Sequence, residues 1–409
     1  MPGSKEQAAP NAPSAVWLAV ALLWACGPTG GEPPTDAGPD VGPDVDAADD
    51  DAPDADAGME DGPESDDGTD AGTDDGPDAG YCESWACWTV PPTGQSTCYD
   101  NTSALADCPG GTDPPSCGAP ALPFCGQDAQ YRDVERTWTC RSAEGALVPC
   151  STLPTVVDGE TVDDSLTGLA WQRAFATGVP WTSAADTCTA LNGSGGPAGR
   201  TDWRLPGIYE LATLIDLGRV GPAIDTAAFP GTPDAPGWWS ATPDALRSEV
   251  AWGVGFASGD VNEGPVSMPA FVRCVAGPPL EVAEGPGRFD AGDDPSGTVV
   301  VDRATGLAWH TDVAPILRWA DALVRCEDLV AGGADDWRLP SATELRSLVR
   351  VDLAGAKSSF PGITTDCFWS STTSTGDPTA AWVVSFASGH GFTVGKPTTF
   401  SALCVRGAP

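Results

Sequence analysis

A duplication is the strongest constraint on what this chain can fold into, and one pentapeptide exposes it. Asp202-Trp203-Arg204-Leu205-Pro206 returns as Asp336-Trp337-Arg338-Leu339-Pro340. Other landmarks repeat around it in the same order. Gly168-Leu169-Ala170-Trp171 answers to Gly306-Leu307-Ala308-Trp309, and Trp181 and Cys188 answer to Trp319 and Cys326. Phe229-Pro230 and Trp239-Ser240 answer to Phe360-Pro361 and Trp369-Ser370; Ala251-Trp252 and Cys274-Val275 answer to Ala381-Trp382 and Cys404-Val405. The gaps differ by only a few residues, and the period far exceeds the roughly 20–50 residues of solenoid repeats. A globular unit has been copied.

The unit reads as α+β: two helices followed by a twisted antiparallel sheet. In the second copy Trp319, Leu323, Cys326 and Val330 fall at helical spacing; Trp181, Ala184, Ala185, Cys188 and Leu191 match them in the first. Ser341 and Glu344 form a capping box ahead of Leu345, Leu348 and Val349, which predicts a second helix just after Arg-Leu-Pro. The first copy has Gly207 for the capping serine and keeps Glu210, so its helix start is expected to be weaker. Alternating runs such as Ala251 to Phe256 and Ala381 to Phe386, each ending at Ser-Gly, predict strands and turns. With one cysteine on the first helix and one on the last strand of each copy, the expected bridges are Cys188–Cys274 and Cys326–Cys404. Cys367 faces Gly237 in the other copy; it is expected to be buried and free rather than paired between chains.

The N-terminal half is built differently. Residues 1–26 read as a signal peptide with an apolar core, Ala15 to Ala25, too short to span a bilayer. The core ends in Leu23-Trp24-Ala25-Cys26, which resembles a lipobox, so Cys26 is the expected lipid-attachment site. Residues 27–80 are Asp, Ala, Gly and Pro with no Lys or Arg, the composition of a disordered, extended tether. No window there has EF-hand spacing. Residues 81–155 hold eight cysteines, an even number that fits local disulfides, with no Cys-x-x-Cys pair to suggest zinc. This loop-rich lead-in is expected to rest on the first repeat. Domain boundaries follow at 156–277 for copy 1, 278–297 for a linker and 298–409 for copy 2.

Candidate chemistry is sparse. The chain carries 20 Lys+Arg against 58 Asp+Glu, a formal net charge of −38, which argues against nucleic acid and against electrostatic docking on anionic lipid. Arg204 and Arg338 have the chemistry to hold an anion, but a carboxylate lies close in sequence to each: Asp202 or Glu210, Asp336 or Glu344. The expectation is that Asp202, Trp203 and Arg204, with Asp336, Trp337 and Arg338, are structural. The landmark tryptophans are expected in the core with a hydrogen bond for each indole. Trp238, beside Trp239, is expected to face the other way and is the candidate exposed, ligand-binding aromatic. His310 and His390, the only histidines, stand opposite Gln172 and Asp260, so neither is expected to be catalytic or metal-bound. No catalytic residue, metal or cofactor is expected.

Taken together, these motifs resemble the bacterial Lcl C-terminal domain family over residues 156–276 and 298–407. Thr93 to Asp100 and Phe124 to Ala129 resemble the lead-in that often precedes such domains. The resemblance implies two tandem C-type-lectin-like domains, in a fold related to formylglycine-generating enzymes. It implies surface adhesion to sulfated polysaccharide, a ligand that the acidic balance disfavours here. The redox cysteine pair of those enzymes and the calcium triads of sugar-binding C-type lectins are both missing. The expected function is therefore a lipid-anchored binding or adhesion protein of a bacterial outer membrane or cell surface, with a glycan or surface protein as partner. A secreted enzyme with a site in the groove between the domains, or a structural envelope protein, is the alternative.

Overall fold

The computed structural model describes residues 89–409, except 113–114, 132–135, 154, 157, 236, 281–286, 292–293, 295–296, 354–357, 359, 362, 364–366 and 408–409. Cys26, the signal segment, the tether at 27–80, Cys82 and Cys87 lie outside the described residues.

The two copies share one ten-stranded sheet. Copy 1 supplies β1 (Ala176–Pro180), β2 (Trp238–Pro243), β3 (Val250–Gly255), β4 (Asp260–Pro265) and β5 (Pro269–Val272). Copy 2 supplies β6 (Ala314–Arg318), β7 (Cys367–Thr373), β8 (Ala380–Ser385), β9 (Gly391–Gly395) and β10 (Thr399–Ala402). The spatial order is β6-β10-β7-β8-β9-β4-β3-β2-β5-β1. This order is a palindrome of equivalent strands. At its centre β9 pairs with β4 antiparallel through Gly391 and Val261, which are each other's counterparts in the duplication. An antiparallel pair of equivalent residues places a local two-fold axis through the seam. Across it Arg346 donates to the Gly259 carbonyl at 3.1 Å and His390 packs edge-on against Trp252. At Gly391 the guanidinium of Arg346 approaches closely: a Cβ there would meet it at 2.8 Å and push it aside.

The sheet is mixed rather than antiparallel throughout. In each copy the closing strand slots between the opening strand and the next one. It runs antiparallel to the first and parallel to the second: Trp238 aligns with Phe271, and Phe368 with Ser401. The chain then leaves the long sheet at Cys274 and Cys404, between strands rather than on one, and enters a smaller sheet. Val275–Ala276 joins a five-stranded sheet with 170–172, 161–164, 138–141 and 147–148; Val405–Arg406 joins a four-stranded sheet with 308–310, 299–302 and 289–290. Neither small sheet was expected.

Helices are few and short: α1 (Trp181–Thr189), α2 (Ile208–Ala212), α3 (Trp319–Glu327) and α4 (Ala342–Ser347). The α4 cap is complete, Ser341 Oγ accepting from the Glu344 amide and Glu344 accepting from the Ser341 amide at 2.7 Å. In α2 only the second half survives, Glu210 accepting from the Gly207 amide at 2.7 Å. The α3 stripe stops early: Val330 lies past the helix end and is 73% exposed, and Ala185 on α1 faces solvent. Ile208, Leu211 and Leu214 of copy 1 share one core cluster with Leu345, Leu348 and Val349 of copy 2. The copies are thus fused through both a sheet and a core.

Disulfides join Cys188 to Cys274 and Cys326 to Cys404, over separations of 86 and 78 residues. The lead-in has three local bridges, Cys98–Cys108, Cys117–Cys125 and Cys140–Cys150. Cys367 is also disulfide-bonded, to a partner outside the described residues. This corrects the expectation of a free thiol; the missing counterpart in copy 1 meant only that the bond reaches outside the repeat. Opening Cys188–Cys274 by serine substitution is expected to cost about 4–5 kcal/mol from loop entropy. Opening Cys326–Cys404 is expected to cost a similar amount. Urea unfolding of each double-serine variant measures it, and a loss well under about 1 kcal/mol would show that the long loops are held by other means.

Candidate functional site

The repeated pentapeptide is a joint. In each copy the Arg backbone pairs with the terminal strand: Arg204 with Val275 and Arg338 with Val405, at 2.9–3.0 Å. The following proline carbonyls accept amides from Ala241 and Ser371 at 2.7 and 2.8 Å. The guanidinium forms a two-pronged bond with the next helix: Arg204 to Glu210 at 2.6 and 2.7 Å, and Arg338 to Glu344 at 2.7 and 2.8 Å. Asp202 accepts from the Gly277 amide at 2.9 Å and Asp336 from Arg406 at 2.7 Å. Trp203 and Trp337 are buried. One difference separates the copies. The Arg204 side chain is 26% exposed and that of Arg338 only 6%, because the lead-in covers the second joint.

The lead-in docks on both copies. As expected it rests on the first repeat, 138–141 pairing with 161–164 in the small sheet of copy 1, and it also reaches copy 2. The Gln95 amide bonds the Thr373 backbone in both directions. Asp128 accepts from Thr93 Oγ1 at 2.5 Å and Thr372 Oγ1 at 2.8 Å. The Tyr131 hydroxyl donates to Glu327 at 2.8 Å, and the Arg338 guanidinium lies 4.9 Å from the Tyr131 ring centre. The Lys396 ammonium donates to the Asp100 carbonyl at 2.6 Å. Copy 1 has Thr189, Pro243 and Val266 where copy 2 has Glu327, Thr373 and Lys396, so it lacks the groups that make these contacts. What the lead-in gives copy 1 is different. The Thr93 carbonyl accepts amides from Leu217 and Gly218, and Arg136 pairs with Asp164 and bonds the Thr213 carbonyl.

A cavity of about 310 Å³ lies where the three parts meet. The lead-in contributes 91–96, Asp128, Tyr131, Arg136 and Trp138. Copy 1 contributes Leu214, Ile215, Asp216 and Asp225; copy 2 contributes Arg338, Ser341, Thr343 and Glu344. Burial raises the Asp128 carboxyl to about 6 and the Glu327 carboxyl behind Tyr131 to about 7, and it raises Asp216 as well. Burial works against the charge on Arg338, but the Glu344 carboxylate outweighs it and holds Arg338 well above its usual range. Arg136 lies 3.9 Å over the Trp138 ring. Of the pentapeptide and tryptophan residues singled out from sequence, Arg338 lines the cavity, beside the capping-box pair Ser341 and Glu344. Asp128, Thr343 and the 91–96 segment went unnoticed as site residues; the Thr-Gly-Gln and Gly-Gln-Asp runs, set down only as a lead-in, were the available signal.

Trp238 is corrected. It is fully buried, not an exposed platform. Alternation does send it to the face opposite Trp239, but both faces of β2 are covered. Trp238 packs among Phe175, Phe256 and Phe271 with the Arg273 guanidinium 5.2 Å from its ring centre; Trp239 packs in the cluster around Cys188 and Cys274. The indoles are not all satisfied: among the described residues, those of Trp171, Trp203, Trp238, Trp252 and Trp309 meet no hydrogen-bond acceptor. His310 lies against Trp337 and His390 lies 3.8 Å from Glu263; neither lines the cavity.

Residues 160–276 and 298–406 both match the Lcl C-terminal domain family, together more than half of the 409 residues. No curated protein matches the chain.

Two raised carboxyls set a pH dependence. Asp128 moves from 3.8 to about 6 and Glu327 from 4.5 to about 7. Their protonated forms suit the fold, so their stabilising contribution is present near pH 4 and is lost as pH rises through 6 and 7. Asp128→Asn and Glu327→Gln, which retain hydrogen-bonding oxygens, are expected to match the wild type near pH 4. Above pH 7 each is expected to exceed it by about 1–3 kcal/mol. Thermal unfolding against pH reads the difference, and a gap that stays flat from pH 4 to 8 would refute the assignment.

Proposed function

The chain belongs to the Lcl C-terminal domain family in both of its copies, and on that premise we propose that it is an extracytoplasmic binding or adhesion protein whose ligand enters the three-part cavity. The observation that carries this reading is convergence. Thr93, Gln95, Ser96, Ser341 and Thr343, with several acidic residues, line one space of about 310 Å³, from three stretches of chain. That is at the small end of ligand pockets, which combine an apolar wall with a few placed polar groups. Pro91, Leu214, Ile215 and Trp138 supply the wall. Among the described residues the large apolar side chains most exposed to solvent are Leu, Val and Ile. A glycan end or a short polar peptide tip is the ligand this geometry suits.

The address and the finer fold belong to the same proposal. Disulfides fit an oxidising compartment, and among the described residues no helix is long and apolar enough to cross a membrane. Lipid attachment at Cys26, with residues 27–80 as a spacer, puts the folded part at an outer membrane or cell surface. The paired short helices and twisted sheet support a place among C-type-lectin-like folds.

The test is direct. The purified full chain is applied to a glycan array and to immobilised matrix proteins, with and without calcium. Binding to a defined subset of glycans or to one surface protein is expected. Silence on both surfaces in both conditions would remove the adhesion reading.

A further inference from the structure

The cavity exists because the duplication is imperfect. On α2 of copy 1, the Tyr209 hydroxyl donates to the Val349 carbonyl at 3.1 Å and accepts from the Val351 amide at 3.2 Å. Its ring plugs the turn that follows α4. The two-fold at Val261 and Gly391 exchanges this arrangement with Thr343 facing Ile215 and Leu217. Thr343 is too short to bridge. The Leu217 amide, counterpart of the one that Tyr209 satisfies, goes instead to the Thr93 carbonyl at 2.6 Å. The lead-in therefore supplies the hydrogen bond but not the ring. Thr343, Leu214 and Ile215 are left lining open space.

The charges around that space are unequal. Both arginines in its wall are spent: Arg338 on Glu344 and the Gly407 carbonyl, Arg136 on Asp164 and the Thr213 carbonyl. Among the described residues, an anion entering the cavity finds no guanidinium outside an ion pair. Three carboxylates remain. Asp216 is offset by Arg219 at 2.7 Å. Among the described residues, the Asp225 carboxylate accepts the amides of Ala227 and Ala228, both on one oxygen, and the Asp128 carboxylate accepts two hydroxyls. Among the described residues neither of these two has a cationic side chain as a hydrogen-bond partner; Arg338 and Arg136 act on them only through space.

We infer that the cavity left by the missing tyrosine selects a hydroxylated ligand bearing a protonated amine, such as an amino sugar, over its neutral and anionic analogues. Ammonium-to-carboxylate hydrogen bonds are stronger than neutral ones, and unpaired like charge is rejected. The inference rests on the binding reading above and deepens it.

Three hexoses of one size separate the alternatives: glucosamine in its ammonium form, glucose and glucuronate, titrated calorimetrically into the full chain. Glucosamine is expected to bind about tenfold or more tightly than glucose, with glucuronate weakest. Thr343→Tyr, which restores the plug, is expected to remove glucosamine binding while the unfolding temperature holds or rises. If that variant unfolds early, Thr343→Leu is the smaller filler, with the same loss expected. Asp225→Asn is expected to shrink the preference for glucosamine over glucose. Equal affinity for all three sugars, or a preference for glucuronate, overturns the charge selection while leaving a binding protein. Glucosamine binding that survives both fillers overturns the location. Array binding by a chain that takes none of the three hexoses overturns the inference alone; silence on the array as well removes the binding reading beneath it.

Discussion

The register at the seam of the long sheet governs the rest of the architecture. Gly391 sits opposite Val261, its own duplicate, in an antiparallel pair. That single alignment turns two copies of a five-stranded unit into one continuous sheet and sets their second helices against each other. A side chain at 391 would require the Arg346 guanidinium to move away from the seam. An isolated copy would present an open strand edge along β4 or β9, the kind of edge that proteins cover or blunt. Here each copy covers the other's.

The pentapeptide joint works inside each copy on a smaller scale. One arginine ties its backbone to the terminal strand and its side chain to the next helix. A buried guanidinium–carboxylate pair of this sort is worth little against an apolar replacement but is costly to break on one side. This fits a role in fixing geometry. In copy 1 the pair is partly wet; in copy 2 the lead-in dries it and turns its surroundings into one wall of the cavity.

The two copies and their mixed helix-and-sheet character were legible because duplication states each landmark twice. The α3 and α4 patterns were legible because their signals are local. Less local features were not. Alternation assigns Trp238 and Trp239 to opposite faces but says nothing about whether a sheet is covered on both, so a buried ring was read as a platform. The parallel pairs in each copy were hidden, since side-chain period is the same for either strand direction. The seam strands Asp260–Pro265 and Gly391–Gly395 carry few apolar residues and give no hint that they meet. The cavity was the least visible of all. Its walls come from three segments far apart in sequence, and its cause is a difference between copies, Tyr209 against Thr343, rather than a motif.

The contacts that seat the lead-in span very long stretches of chain: 278 residues between Gln95 and Thr373, and 296 between Asp100 and Lys396. Contacts so remote are closed late, after local pairings have formed. A chain that emerges N-terminus first therefore presents its lead-in long before the surface that receives it exists. The local bridges Cys98–Cys108 and Cys117–Cys125 give the waiting segment a shape of its own in the interval. A molecule truncated before Thr372 would keep the lead-in's bonds to the first copy and lose those that Thr372, Thr373 and Lys396 supply.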